Sequence, residues 1–303
     1  MPPSQTRLLA TLTVVTTGAF WGLYWFPVRQ LEAAGLQGAW GSAAIVAAAT
    51  LLTAPFAFAR PSALLKADRL ALCFVALGGF AFVLYSAAFV YGRVAIIVLL
   101  FFLTPVWSTL IGRLVLGWRA TRLRIAAIAS GLAGLGLMLG AGGQVPMPQG
   151  LGEWLGLVSG FLWAVATTGL RVRPKVPAGP ASFVFALGAL AGVLAFAPFL
   201  APLPDTLRLG ALGTAFGIAL LAGGLWWGAA NAALMWAAPQ LEPARTGILL
   251  MSEVLIGAVS AAVLAGERLG PLELAGGLLV LTAGILEVWP VKKAPAPLKS
   301  EGR

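Results

Sequence analysis

The sequence contains no histidine, and this absence excludes several kinds of chemistry. Histidine is the usual general base of nucleophilic hydrolases and the commonest neutral metal ligand. A Ser-His or Cys-His catalytic pair is therefore impossible. Cys73 is the only cysteine, so neither an intrachain disulfide nor a cysteine metal cluster can form within the chain. We accordingly expect no catalytic residues, no metal site, no cofactor and no enzymatic activity.

Charged residues are also scarce, at 10% of the 303 residues, whereas a soluble domain carries about 25%. Hydrophobic residues make up 60% of the chain, and the mean hydropathy is +0.94. The net charge of +10 does not indicate a nucleic-acid partner, because the basic residues occupy short gaps between apolar runs. The composition predicts an all-α integral membrane protein whose surroundings are the lipid bilayer.

Ten apolar runs are long enough to cross a bilayer, which takes about 20 helical residues. They lie at residues 8–28, 38–59, 69–91, 94–116, 123–142, 151–170, 181–200, 211–237, 243–265 and 271–289. Ten crossings place both termini on one side of the membrane. If that side is the cytoplasm, every lysine and arginine is cytoplasmic except Arg29, Arg93, Arg208 and Arg268. Because basic loops stay inside, we predict a multi-pass inner-membrane protein with both termini cytoplasmic.

Two short motifs recur in the second half of the chain. The pentapeptide at 18–22 (GAFWG) returns at 160–164 (GFLWA), displaced by 142 residues, and 116–119 (LGWR) returns at 265–268 (AGER), displaced by 149. Each half contains five expected helices, an odd number, so the second copy enters the membrane from the opposite side. We predict two inverted five-helix repeats, residues 1–146 and 147–291, followed by a basic cytoplasmic tail at 292–303.

Short motifs connect the sequence with a known family. They are Trp21-Gly22, Trp163-Ala164, Leu103-Thr104-Pro105, Ser252-Glu253-Val254, and the turn at 264–269 with Gly276-Gly277 after it. With these motifs the chain resembles the ten-helix EamA-type branch of the drug/metabolite transporter superfamily, from about Thr13 to Val288. One departure is Trp118, where the family often has glutamate. The resemblance implies export of amino acids or other small metabolites, and one group of the family handles aromatic amino acids.

Glu253 is the only acidic residue well inside an expected span. A carboxylate within a bilayer is costly unless it is paired or hydrated, so it is a candidate for proton coupling or for binding a cationic amine. An ordinary packing role, with hydrogen bonds from a neighbouring helix, is the alternative. Asn231 and Ser252 are further polar candidates within spans, and helix-to-helix hydrogen bonding is the alternative for Asn231.

Aromatic residues form the second group of candidates. Those inside spans are Trp21, Tyr85, Phe89, Trp107, Trp163, Trp226 and Trp227. Their helices surround the central cavity in the arrangement that the resemblance implies, and aromatic walls suit planar or amphipathic substrates. Core packing or contact with lipid is the alternative for each. The predicted substrate-binding set is Trp21, Tyr85, Phe89, Trp107, Trp163, Trp227, Asn231, Ser252 and Glu253.

Glycine pairs four residues apart predict positions where two helices approach closely. They are Gly136 with Gly140, Gly152 with Gly156, Gly188 with Gly192, and Gly213 with Gly217. Together with the family resemblance, the sequence predicts a monomeric secondary transporter that exports small metabolites by alternating access. The resemblance implies amino acids, aromatic or other hydrophobic ones, as the substrates. A lipid or lipid-linked flippase is the main alternative, and a membrane enzyme is a lesser one.

Overall fold

The computed structural model describes residues 3–59, 61–117, 121–141, 143, 147–204, 209–237, 240–241 and 243–289. Trp118, Glu242 and the predicted basic tail at 292–303 lie outside these ranges. Over the described ranges the chain is helical and contains no β-strand, which confirms the all-α prediction.

Fifteen α-helices and one π-helical segment follow one another along the described chain. The first seven helices are α1 (Pro3–Trp21), α2 (Trp25–Ala33), α3 (Trp40–Phe58), α4 (Pro61–Leu65), α5 (Arg69–Tyr91), α6 (Val94–Phe101) and α7 (Thr104–Leu114). The others are α8 (Arg122–Leu139), α9 (Leu151–Arg171), α10 (Ala178–Leu200), α11 (Leu209–Ala222), the π-helical segment (Gly223–Ala230), α12 (Asn231–Ala237), α13 (Pro243–Leu250), α14 (Ser252–Leu264) and α15 (Pro271–Val288). Helices therefore occupy all ten positions at which the sequence predicts a span.

Eight helical segments of the described chain are long and apolar enough to cross a membrane. They are Ser4–Ala33, Trp40–Phe58, Arg69–Tyr91, Val94–Leu114, Arg122–Leu139, Ala178–Leu200, Gly213–Leu234 and Arg245–Leu264. The other two expected spans coincide with α9 and α15. Helix α9 has 21 residues but carries Glu153 in its first turn and Arg171 in its last, and the apolar part of α15 is the shorter stretch Pro271–Leu286.

Several expected spans are interrupted within their length. The first breaks between α1 and α2, the fourth at Phe102 and Leu103, and the ninth at Met251. Pro105 lies in the first turn of α7, where its missing N–H breaks no helical hydrogen bond. The eighth span widens into the π-helical segment, a form that occurs mostly as short insertions and often near functional sites.

In the bundle, helices from the first half of the chain pack against helices from the second half. Helix α1 packs against α12, α13 and α14, whereas α9 packs against α5, α6 and α7. Helix α3 packs against α10, and α8 packs against α15. At the α8–α15 contact the backbones nearly touch, since a Cβ on Gly134 would lie 2.6 Å from the carbonyl oxygen of Gly276, and one on Gly276 equally near that of Gly134.

The predicted close-approach glycines divide into two groups. A Cβ on Gly152 would meet the backbone of Gly92 at 2.6 Å, and Gly188 and Gly192 lie directly against Ala76 and Phe80. The prediction is therefore confirmed on α9 and α10. Gly136, Gly213 and Gly217, in contrast, have no neighbouring atom within 4 Å of an added Cβ, so the prediction is wrong at these three positions.

Candidate functional site

A cavity of about 350 Å³ opens between α5, α9, α10 and the start of α12. Its lining consists of Phe74, Val75, Gly78, Trp163, Ala166, Thr167, Leu170, Pro174, Lys175, Val176, Ala181, Ser182, Phe185 and Asn231. Helix α5 begins at this end of the bundle, which we call the cavity end, and finishes at Tyr91 at the far end. The cavity has mainly apolar walls, and Lys175 is the one charged residue in its lining.

The inner wall of the cavity belongs to a cluster of aromatic rings, which we call the aromatic layer. It consists of Phe82, Tyr85, Phe101, Trp163, Phe185 and Trp227. The Trp163 ring lies 6.0 Å from that of Phe185 between centroids, and Phe185 lies 5.3 Å from Trp227. Phe82 meets Trp227 edge to face at 5.1 Å. Such tilted and edge-to-face contacts are the favourable arrangements of aromatic pairs.

Glu253 lies behind the aromatic layer and is only 5% exposed. Its Oε1 accepts a hydrogen bond from the Tyr85 hydroxyl at 3.3 Å. The Tyr85 ring is stacked on Phe101, with centroids 4.4 Å apart and planes at 27°, and it meets Phe89 edge to face at 4.6 Å. Neither Glu253 nor Tyr85 lines the cavity, so rings separate the carboxylate from the open space.

A chain of buried hydrogen bonds beside this layer connects three helical segments with the break between α1 and α2. The Trp227 Nε1–H donates to the Tyr24 hydroxyl at 3.1 Å, and Tyr24 is hydrogen-bonded to Ser86 Oγ at 3.1 Å. Ser86 Oγ in turn lies 2.8 Å from Ser42 Oγ. Buried polar groups that are fully paired in this way fix the relative position of the helices that carry them.

The structure brings some of the predicted binding residues together and leaves others apart. Tyr85, Phe89, Trp163, Trp227 and Glu253 lie in or against the aromatic layer. Two further members of the set make backbone contacts, since Asn231 Nδ2 donates to the Trp227 carbonyl at 3.1 Å and Ser252 Oγ donates to that of Val15 at 3.0 Å. Asn231 also lines the cavity.

Trp107 and Trp21 have no ring contact with the aromatic layer among the described residues. Trp107 instead meets Phe161 edge to face at 5.9 Å. The indole N–H groups of both tryptophans are buried without a hydrogen-bond partner in the described part of the chain. Neither of these two residues belongs to the cavity lining.

Sequence reasoning missed several residues that complete the site, namely Tyr24, Phe82, Ser86, Phe101 and Phe185. Helical spacing points to Phe82, which lies three residues before Tyr85 and hence on the same face of α5. Tyr24 and Phe185 carry no comparable signal. Their importance depends on which helices become neighbours, and apolar patterning does not encode that.

Four charged residues form an ion-pair cluster at the far end of the bundle. Arg29 Nη2 lies 3.2 Å from Glu267 Oε1, and Arg93 Nη1 lies 2.5 Å from Glu273 Oε1. The hydrogen bond to Glu273 raises the pKa of the Arg93 guanidinium above its already high ordinary value, so this side chain is always charged. Both pairs connect the first half of the chain with the second.

Comparison with known proteins identifies one family similarity. Residues 8–140 match the model of the EamA-like transporter family. The match lies within the first predicted repeat and covers less than half of the chain, and it indicates a membrane transporter. No curated protein matches the sequence.

The fold itself is shared over a longer stretch. One protein of known crystal structure superposes with a TM-score of 0.57 and 18% sequence identity, over 93% of this chain and 96% of its own. Likeness at this identity concerns the fold alone, and it includes the second half of the chain that the family match does not cover. The apolar helices and the EamA match together indicate a multi-pass membrane protein.

Proposed function

We propose that the protein is a secondary transporter that exports small metabolites, specifically aromatic or other hydrophobic amino acids, across the bacterial inner membrane by alternating access. The observation that carries this proposal is the cavity that ends at an aromatic layer with the buried Glu253 behind it. The proposal includes ten spans arranged as two inverted repeats, residues 1–146 and 147–291, and a monomer as the working unit.

Repeated contacts support the inverted repeat. A Cβ on Gly79 of α5 would press against Phe185 O and Ala189 N of α10, and one on Gly223 would meet Ile45 O and Ala49 N of α3 at 2.9 Å. The same kind of contact therefore occurs between equivalent helices of the two halves. The turn glycines Gly117 and Gly266 likewise have φ angles of 66° and 65°.

The charge distribution supports a cytoplasmic position for the cavity end. Arg171, Arg173 and Lys175 lie on or beside the segment at the cavity mouth, and positively charged segments remain on the cytoplasmic side. In this orientation the substrate enters from the cytoplasm. The far end, with the ion-pair cluster, then faces outward.

The cavity lining supports a small substrate with an apolar, planar part. The volume of about 350 Å³ falls within the range of about 300–1,000 Å³ that is usual for small-molecule sites. A substrate ring fits against Phe74, Trp163 and Phe185, while Lys175 offers a cation to a carboxylate at the mouth. An amino acid combines both groups in one small molecule.

Glu253 supplies the proposed coupling to protons or to the substrate amine. Its carboxylate has one hydroxyl donor, Tyr85, and no basic partner among the residues that the structure describes. An ionised carboxylate in such a place needs a cation. Opening of the aromatic layer would expose Glu253 to the cavity, where a proton or an ammonium group could bind.

The test is uptake of labelled aromatic and aliphatic amino acids into liposomes that contain the purified protein, with and without an imposed pH gradient. We expect saturable uptake of aromatic amino acids, and we expect Glu253→Gln to lose the dependence on the pH gradient. Glu153→Gln is the matched control, because Glu153 is a half-exposed acid outside the cavity lining and accepts a hydrogen bond from Gln149 N in the segment before its helix. It should transport as the unmodified protein does.

Absence of uptake for every amino acid would contradict the proposed substrate. The same liposomes then test the flippase alternative, by transfer of a fluorescent phospholipid between leaflets. Equal gradient dependence of Glu253→Gln and the unmodified protein would contradict proton coupling at Glu253.

A further inference from the structure

Glu267 makes contacts that cross between the two halves of the chain. It lies in the turn between α14 and α15, yet its Oε1 accepts from Val94 N at 2.8 Å and its Oε2 from Ala95 N at 3.1 Å. These are the first N–H groups of α6, which have no partner within their own helix. Negative charge is favourable at a helix N-terminus. A carboxylate of the second half thus caps a helix of the first half.

Arg29 of α2 extends this connection to the end of α5. Besides its ion pair with Glu267, it donates to the carbonyls of Phe89 and Gly92, both at 2.9 Å. The side chain of Glu267 is only 9% exposed, and charge-assisted hydrogen bonds with little solvent screening are the stronger ones. Arg93 adds the second ion pair, with Glu273. At the far end, therefore, α2, α5 and α6 are all held to the turn between α14 and α15.

The repeat relationship identifies the positions that correspond to these residues at the cavity end. The displacement of 149 residues relates Glu267 to Trp118 and Val94 to Pro243, and the displacement of 142 relates Arg29 to Arg171. Tryptophan has no carboxylate, and proline has no N–H to donate. Arg171 is exposed and forms no ion pair with any acid among the described residues.

For the ion pair between Arg93 and Glu273, the equivalent positions at the cavity end also carry charged residues. The positions equivalent to Arg93 and Glu273 are Glu242 and Arg124, so the sequence keeps two opposite charges there, exchanged. The difference between the ends is therefore concentrated at the cap that Glu267 provides. The far end has this cap, whereas the cavity end lacks the residues that would form it.

We propose that Glu267 holds the far end closed by capping α6 across the two halves, and that the lack of an equivalent cap at the other end makes the cavity-open conformation the resting state. This inference rests on the proposed alternating access. It assigns Glu267 a positioning role in the conformational equilibrium, and Glu267 itself does not contact the substrate.

The test measures the accessibility of two introduced cysteines in nanodiscs, in a Cys73→Ser background. Ala95→Cys reports the far end, since Ala95 is 1% exposed beneath the Glu267 carboxylate. Ser182→Cys reports the cavity. The probe is a water-soluble maleimide, and the initial rate of labelling is measured in each protein with and without Glu267→Gln.

We expect Glu267→Gln to open the far end at the expense of the cavity. Loss of the charge should shift the equilibrium between the two conformations roughly tenfold toward the one that is open at the far end. From a resting ratio of about 10:1 in favour of the cavity-open conformation, this shift raises the labelling rate at position 95 about fivefold and lowers the rate at position 182 about twofold. Glu153→Gln removes an acid at the same end whose hydrogen bond comes from Gln149 N in its own half and whose charge acts on Arg93 only through space, so it should change neither rate.

Three results would overturn the inference. Unchanged labelling at position 95 would show that Glu267 does not hold the far end closed. A rise at both positions would show loss of the fold rather than a change of conformation. Fast labelling at position 95 without Glu267→Gln would contradict the proposed resting state. Labelling requires no substrate, so a failed transport assay leaves this test intact.

Discussion

At the scale of single residues, Tyr24 and Tyr91 have hydroxyl groups in opposite surroundings. The Tyr24 hydroxyl accepts from Trp227 and bonds to Ser86, whereas the Tyr91 hydroxyl is buried without a partner among the described residues. Tyr24→Phe leaves the indole N–H of Trp227 unpaired, which costs about 1–3 kcal/mol. We expect a clearly lower melting temperature in detergent, measured by tryptophan fluorescence.

Tyr91→Phe is the matched control for this prediction. It removes a hydroxyl that makes no hydrogen bond, so the melting temperature should stay the same or rise. Equal destabilisation by the two substitutions would show that the hydrogen bonds of Tyr24 contribute nothing beyond the packing of its ring.

The residues around Glu253 show how much of the candidate site could be predicted from the sequence. The sequence identified Glu253 and Tyr85 separately, because a buried acid and an aromatic residue inside a span are unusual for chemical reasons. It did not pair them, since 168 positions separate them along the chain. Ser252 was predicted to bind substrate, and its hydroxyl is hydrogen-bonded to Val15. Residue type predicts polarity, whereas the identity of the partner depends on tertiary packing.

At the scale of helices, the contact between α5 and α10 depends on Gly79. An added methyl group there would overlap Phe185 O and lie 3.0 Å from Ala189 N. Both are backbone atoms, so neither can move aside without shifting a helix. We expect Gly79→Ala to destabilise the protein by about 1–3 kcal/mol, the usual cost of overpacking, and to lower its melting temperature.

Gly136→Ala is the corresponding control on α8, where an added Cβ has no neighbour within 4 Å. Alanine is favoured over glycine in a helix by about 1 kcal/mol, so this substitution should be neutral or stabilising. Destabilisation by Gly136→Ala as large as that by Gly79→Ala would contradict the assignment of close packing to Gly79.

Helix positions could be predicted from the sequence more fully than their internal breaks. Hydropathy located helices at every expected span, because length and apolar character are properties of a single segment. The break at Met251 and the π-helical segment at 223–230 lie inside runs whose overall apolar character predicts continuous helices, so hydropathy does not indicate them. Pro105 is the exception, since its missing N–H predicts an irregularity next to the break at Phe102 and Leu103.

At the scale of the whole molecule, the inverted arrangement depends on α9 crossing the membrane. With 21 residues, it is about 32 Å long at about 1.5 Å per residue, enough for a hydrocarbon core of about 30 Å. Its polar ends are consistent with this, because Glu153 and Arg171 lie in the first and last turns, where they reach the interfaces.

The arrangement predicts opposite directions for the equivalent helices α1 and α9. In a Cys73→Ser background, Gln149→Cys should react with a membrane-impermeant maleimide in intact cells, and Lys175→Cys only after permeabilisation. The first half provides the control, since Ser4→Cys should be protected in intact cells and Gln37→Cys accessible; both residues are exposed. The helix that begins near Ser4 would then start inside, and its equivalent near Gln149 outside. Labelling of Gln149→Cys and Lys175→Cys from the same side would mean that α9 does not cross, and the two halves would then not be related by inversion.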